Sequence, residues 1–244
     1  MSTHRFLVCN LPNAGTVELP ENEAHHASRV LRCSVQDAIV LFDGKGNEAQ
    51  ATIRSIDKRG VSASIDSTHF APRDHNDRLH FAVALPKGDR QRSTIEKLVE
   101  LGVDSLSPLE TARSVAVVNE SNSERLERYV VEACKQCRRN RLMSIHPTIS
   151  VQRIVSLSND TNIWILHPES IDQKSYSISQ ANEHACELKV KRLLFLVGPE
   201  GGFTDEEVRL AISQGARLLS FGERIQRVET AVSTAAVLGS CWLA

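Results

Sequence analysis

The chain has 244 residues, 41% hydrophobic and 24% charged, with 29 Lys+Arg against 30 Asp+Glu. These proportions exclude a disordered, collagen-like or mucin-like polymer, and a chain of this length buries roughly 70% of its unfolded surface without a disulfide or metal staple. Charges nearly cancel, so no global field draws a nucleic acid or a membrane, and any such site is a local patch.

The N-terminal residues carry no apolar run long enough for a signal peptide. Apolar stretches such as Leu193–Val197 and Ala235–Leu238 fall far short of the ~20 residues of a membrane span. The expectation is a cytoplasmic protein with no membrane partner. Its six scattered cysteines (Cys9, Cys33, Cys134, Cys137, Cys186, Cys241) are then reduced thiols.

In chain order, Arg5–Cys9 alternates as a strand, and Glu21–Arg32 has the helical spacing of Ala24, Ala27, Val30 and Leu31. Ala38–Phe42 is a strand that ends in the turn Asp43-Gly44-Lys45-Gly46-Asn47. Ala49–Ile56 returns, Lys58-Arg59-Gly60 turns again, and Val61–Ile65 completes a set read as a small barrel whose edges vanish by closure. The polar, aperiodic stretch Ser67–Arg78 reads as the connection. This gives a domain over residues 1–70, a linker at 71–78 and a second domain over 79–244. From Leu79 strands alternate with helices, the pattern of an α/β layer. Strands are predicted at Leu79–Leu85, Asp104–Leu109, Ile163–Leu166, Leu193–Val197 and Ala216–Phe221. Helices are predicted at Gln91–Leu101, Ser123–Arg138, Ser177–Glu187, Thr204–Gln214 and Glu229–Leu243.

The most specific local feature is Leu196-Val197-Gly198-Pro199-Glu200-Gly201-Gly202-Phe203-Thr204, a buried strand entering a glycine-rich turn and then a helix. Thr204 and Glu207 have capping-box spacing. The three glycines permit unusual dihedrals and close ligand approach. A phosphate loop is rejected: Pro199 removes an amide donor, Glu200 adds negative charge, and no phosphate-loop spacing is present. A ligand without phosphate, or a tight turn with no ligand, both fit.

The second feature, Phe221-Gly222-Glu223-Arg224-Ile225-Gln226-Arg227-Val228-Glu229-Thr230, crowds charge into one loop before the last helix; a solvated loop is the alternative. The third, Cys134-Lys135-Gln136-Cys137-Arg138-Arg139-Asn140-Arg141, lacks the second cysteine pair of a tetrahedral site, so no metal is assigned. Its four positive charges, without an acidic neighbour, suit a phosphate backbone or complement the dipole of their own helix. Lys87-Gly88-Asp89-Arg90 adds a second basic loop, and His25-His26 is surface or RNA-facing.

Together these residues resemble the RsmE family of the SPOUT superfamily, which methylates N3 of a uracil in small-subunit ribosomal RNA with S-adenosylmethionine. The likeness rests on Arg5-Phe6, His26-x3-Val30-Leu31-Arg32, Lys87-Gly88-Asp89-Arg90, Arg113-Ser114 and Glu132-Ala133-x2-Gln136-x2-Arg139. Its most specific parts are the paired loops Gly198–Phe203 and Arg224–Ala231. Gln226 stands where the family usually has Leu, and Gln36-Asp37 where it has a Gly-Asp pair. The resemblance implies a PUA-like RNA-binding barrel followed by an α/β domain with a C-terminal trefoil knot, working as a homodimer on ribosomal RNA or the small subunit. The knot loops fall near Leu166-His167-Pro168-Glu169, Leu196–Gly202 and Leu219–Val228. The expected cofactor-binding residues are Leu166, His167, Val197, Gly198, Pro199, Glu200, Gly201, Gly202, Phe221, Gly222, Ile225, Arg227 and Val228. Arg5, Arg29, Arg32, Lys87, Arg90, Arg138 and Arg139 are expected on RNA phosphates.

Methylating uracil N3 requires removal of its proton and stabilisation of the anion. Arg227 and Glu229 are the expected catalytic pair, with Arg224 and Glu200 as alternatives. Two other readings compete: an RNA-binding protein that has lost the cofactor, and an NAD-dependent oxidoreductase. The missing phosphate fingerprint argues against the latter.

Overall fold

The change of rhythm near residue 79 separates two sheets in the computed structural model, which describes residues 3–72, 78–114, 120–157, 161–168, 175–188 and 191–243. The chain falls into two units, Met1–Arg73 with Val131–Leu142, and Asp74–Val130 with Met143–Ala244.

The first unit contains β1 (Arg5–Leu7), β2 (Gly15–Glu18), α1 (Glu21–His25), β3 (Ala38–Phe42), β4 (Asn47–Asp57) and β5 (Gly60–Phe70). A widened helical turn, His26–Val30, continues α1. The strand order is β1-β3-β4-β5-β2. β1 runs parallel to β3, and the other pairings are antiparallel. Alternate side chains of these strands, with Ala24 and Ala27, form the core: Phe6, Ile39, Leu41, Ala49, Ile53, Ala63 and Ile65. Asp43 organises the β3–β4 turn, its Oδ1 accepting from the backbone N–H of Lys45 at 2.7 Å and of Asn47 at 3.0 Å. Gln36 holds φ at +76°, a left-handed conformation that costs a side-chain-bearing residue about 1–2 kcal/mol.

The first unit departs from the sequence pattern at four places. β2 was not foreseen, because Gly15-Thr16-Val17-Glu18 is too short and polar for periodicity to reveal it. β5 continues through Ser67–Phe70, where the polar stretch predicts connection; residues 73–77 of the expected linker lie outside the described residues. The path ends at β1 and β2, and among the described residues no ladder joins them. Finally, residues 131–142 group with the first unit. Asn140 is fully buried there and donates through Nδ2 to Glu48 Oε2 (2.8 Å) and the Ala71 carbonyl (2.7 Å). Long-range polar contacts of this kind leave no periodic trace in the sequence.

The second unit contains β6 (Leu79–Val83), α2 (Asp89–Glu100), β7 (Ser105–Glu110), α3 (Glu120–Cys137, whose last residues group with the first unit), β8 (Ser144–Ile145), β9 (Ile149–Ser150), α4 (Val151–Leu157), β10 (Asn162–Leu166), α5 (Ile178–Leu188), β11 (Leu193–Val197), α6 (Asp205–Ser213), β12 (Arg217–Leu219) and α7 (Val228–Leu243). The sheet order is β12-β10-β11-β6-β7-β8, with β9 also on β7, and every pairing is parallel. β11 is buried along its whole length, as its unbroken apolar run requires. β8, β9 and α4 were not foreseen.

The small-residue helix α7 packs on its own sheet. A Cβ on Gly239 would lie 2.7 Å from Leu79 Cδ1 and 2.9 Å from Phe195 Cε2, so only glycine allows this approach. Among the described residues, no helix is long and apolar enough to cross a membrane.

Candidate cofactor site and RNA-contact residues

In parallel α/β sheets, ligands gather at the carboxyl ends of the strands. The ends of β10, β11 and β12 open here onto one cavity of about 410 Å³. Leu166, His167 and Pro168 line it after β10, residues 197–203 and Asp205 after β11, and Leu219, Phe221, Gly222, Arg224, Ile225, Gln226, Val228 and Ala231 around β12 and the start of α7, with Arg113 from the turn after β7. Of the expected cofactor residues, all but Arg227 line it. Arg227 is exposed, and its carbonyl accepts from the N–H groups of Thr230 (3.0 Å) and Ala231 (2.9 Å), which opens α7. Glu169 lies outside the described residues.

The glycine-rich turn is fixed from both sides. Thr204 and Glu207 form the reciprocal capping box, at 3.3 and 2.8 Å. The second oxygen of Glu207 accepts from the Ala112 N–H at 2.8 Å. Arg113 Nη1 donates to the carbonyls of Gly201 (2.7 Å) and Phe203 (3.3 Å). The three glycines serve different needs. Only Gly202 has a left-handed φ, +69°; the shared expectation of unusual dihedrals is corrected for Gly198 and Gly201. Gly198 makes room for Phe203, whose ring would stand 3.1 Å from an added Cβ. Gly201 faces the Arg113 stem, 3.4 Å from where its Cβ would be.

Charge at the cavity is partly neutralised. Glu200 pairs with Arg90 at 2.9 Å, so the alternative base and one expected phosphate contact hold each other. The Glu206 carboxyl is lowered, first by its own backbone N–H and then by the Thr204 hydroxyl. In the loop after β12, Ile225 is 86% exposed. Glu229, in the first turn of α7, does not line the cavity; its Oε2 is buried with no hydrogen-bond partner among the described residues. The Oε1 of Gln226 is likewise buried and unpartnered.

The expected RNA residues divide. Arg29, Arg32, Lys87, Arg90 and Arg138 are exposed; Arg32 and Arg138 hold φ at +53° and +63°. Arg5 and Arg139 are corrected. The Arg5 side chain is 8% exposed, pairs with Glu48 at 3.3 Å, bonds Asn140 and lies over the Phe42 ring. Arg139 is 3% exposed. Neither guanidinium is presented at the surface as the basic run suggested. The basic run also has an acidic neighbour after all: Lys135 pairs with Glu23 at 2.5 Å. Cys134 is buried and Cys137 half-buried.

Arg113, Pro168, Phe203, Asp205, Leu219, Gln226 and Ala231 line the cavity without being named as cofactor residues from the sequence. All but Asp205 fall inside the knot loops or motifs that carry the family resemblance.

A family model described as an RNA methyltransferase domain matches residues 73–239, and one described as an RNA methyltransferase PUA domain matches residues 19–66. Ribosomal RNA small subunit methyltransferase E of Bacillus subtilis is 30% identical over 91% of this chain and 88% of its own. The protein of the same name from Rickettsia conorii is 31% identical over 94% and 91%. A Legionella pneumophila protein solved with the bound cofactor SAM matches with a TM-score of 0.88 at 29% identity, covering 99% of this chain and 98% of that one. Ribosomal RNA small subunit methyltransferase E of Neisseria gonorrhoeae, bound to S-adenosylmethionine, matches at 0.82 with 28% identity over 96% and 95%.

Proposed function

The chain belongs to the RsmE family of RNA methyltransferases, and from that premise we propose that it methylates N3 of a specific uridine in small-subunit (16S) ribosomal RNA, using S-adenosylmethionine. The observation that carries the proposal is the single cavity at the ends of β10, β11 and β12, built from both signature loops.

The cavity suits this cofactor. It has no phosphate cradle, and its lining mixes the apolar Leu166, Val197, Leu219, Phe221, Val228 and Ala231 with Arg113, Arg224, Asp205 and the Arg90-paired Glu200, the mixed surface that a part-apolar, part-charged ligand requires. When bound, the cofactor supplies an electrophilic methyl group. The walls hold it, exclude water and fix the line of attack. Glu229 takes the N3 proton: its buried Oε2 has no donor of its own and so has acceptor capacity to spare. Arg227, exposed between the lining residues Gln226 and Val228, stabilises the negative charge that develops on the uracil oxygens. The target base leaves its stack to reach them. Arg29, Arg32, Lys87 and Arg138 meet phosphates.

The proposed trefoil knot threads the segments around residues 166–168, 196–202 and 219–228. Support comes from β11, which inserts between the earlier strands β10 and β6, and from the residue 175–176 segment, which runs beside β12 through the Tyr176–Leu219 bridge. The working form is a homodimer, tested by light scattering. Methyl incorporation from labelled cofactor into small-subunit RNA tests the activity. The proposal expects label that depends on the protein; RNA left unlabelled in both naked and subunit-assembled form overturns it.

A further inference from the structure

Gln226 is an unusual residue for its place. The family resemblance puts Leu at this position, and Gln226 lines the cavity together with its chain neighbours Ile225 and Val228. Its Oε1 is nevertheless buried and accepts no hydrogen bond from any described residue. A buried amide acceptor without a donor is costly, whereas an apolar side chain of similar size at the same place is not. The donor that would satisfy it is therefore expected from the ligand.

We propose that Gln226 is a specificity-determining residue of the cofactor site, its amide oxygen accepting a hydrogen bond from the 6-amino group of the cofactor's adenine. The inference rests on the reading of the cavity as an S-adenosylmethionine site. The cofactor offers two kinds of N–H donor, the adenine amine and the α-ammonium. A buried ammonium loses its hydration unless a charge compensates it; the carboxylate of Asp205, also in the lining, serves it better than a neutral amide oxygen. The neutral aromatic amine is the donor a buried neutral acceptor needs, and an amide oxygen is a natural partner for an adenine 6-amino group.

Calorimetry on the full chain tests this with two ligands: S-adenosylhomocysteine, and its analogue with hydrogen in place of the 6-amino group, measured by competition if weak. Gln226→Leu is expected to weaken S-adenosylhomocysteine about tenfold and to leave the deamino analogue within about twofold of wild type. The same substitution is expected to raise the melting temperature of the ligand-free protein, because it removes a buried unsatisfied acceptor. Equal loss of both ligands would assign Gln226 to packing, and unchanged S-adenosylhomocysteine affinity would remove it from recognition; either overturns the proposal while the cofactor assignment stands. If the wild-type protein binds neither ligand, the cofactor assignment fails first and takes the proposal with it.

Discussion

Substituting alanine singly at the three glycines of the signature turn separates three physical effects. At Gly198 the new Cβ stands 3.1 Å from Cδ2 and Cε2 of Phe203 and 3.3 Å from its backbone nitrogen. Phe203 is 2% exposed and packs with Leu196, Val208 and Ala211. The ring must yield by several tenths of an ångström against a filled core, and overpacking of this kind costs about 1–3 kcal/mol. At ~2–4 °C per kcal/mol for a chain of this size, the expected loss in melting temperature is several degrees. The turn moves with Phe203, so S-adenosylhomocysteine affinity falls about tenfold. At Gly202 nothing lies within 4 Å of a Cβ, but φ is +69°; the backbone term alone costs about 1–2 kcal/mol. At Gly201 the Cβ only touches the Arg113 stem at 3.4 Å, with no positive φ, so alanine is nearly neutral. Thermal unfolding and calorimetry on the three variants give the order. Should Gly201→Ala prove the most damaging, or Gly198→Ala match wild type in both assays, the assignment of these roles is wrong.

Gln36→Gly is expected to gain about 0.5–1 kcal/mol, because relief of φ +76° exceeds the added chain entropy; urea unfolding measures it, and a loss would contradict it. Glu48→Ala leaves the Arg5 guanidinium and the Asn140 amide without their shared acceptor and is expected to cost about 3–5 kcal/mol, read from the same unfolding curves. Arg227→Ala should lower the transfer rate ~100-fold with S-adenosylhomocysteine affinity unchanged; a normal rate makes Arg227 a structural charge. Removing Arg29 and Arg32 should reduce the log–log salt slope of RNA binding by about one unit per lost phosphate contact, seen by filter binding. An untouched slope moves the RNA path elsewhere.

Helices that bury one face are legible through their period, and β3 and β11 through their unbroken apolar runs, which fall where the sequence puts them. The Thr204–Glu207 cap was legible because a local hydrogen-bond motif has fixed spacing. What sequence could not supply depends on distant partners. Arg5 and Arg139 look like surface charge until Glu48 and Asn140 are placed near Arg5 and Arg139 is found buried. The dihedral of Gly201 looks special until the structure shows no left-handed φ there and only ordinary contact distance to the Arg113 stem. Short elements such as β2, β8 and β9 are pinned by neighbouring strands rather than by their own residues. The cofactor loops were readable through their resemblance to a family, which composition and spacing alone would have left as glycine turns.

The central claim is tested most directly by nucleoside mass spectrometry of small-subunit ribosomal RNA after incubation with the protein and methyl-labelled S-adenosylmethionine. The account predicts label in 3-methyluridine, at a single position where the blocked pairing edge halts reverse transcription. Label on a ribose, on another base or on another atom of uracil would contradict it.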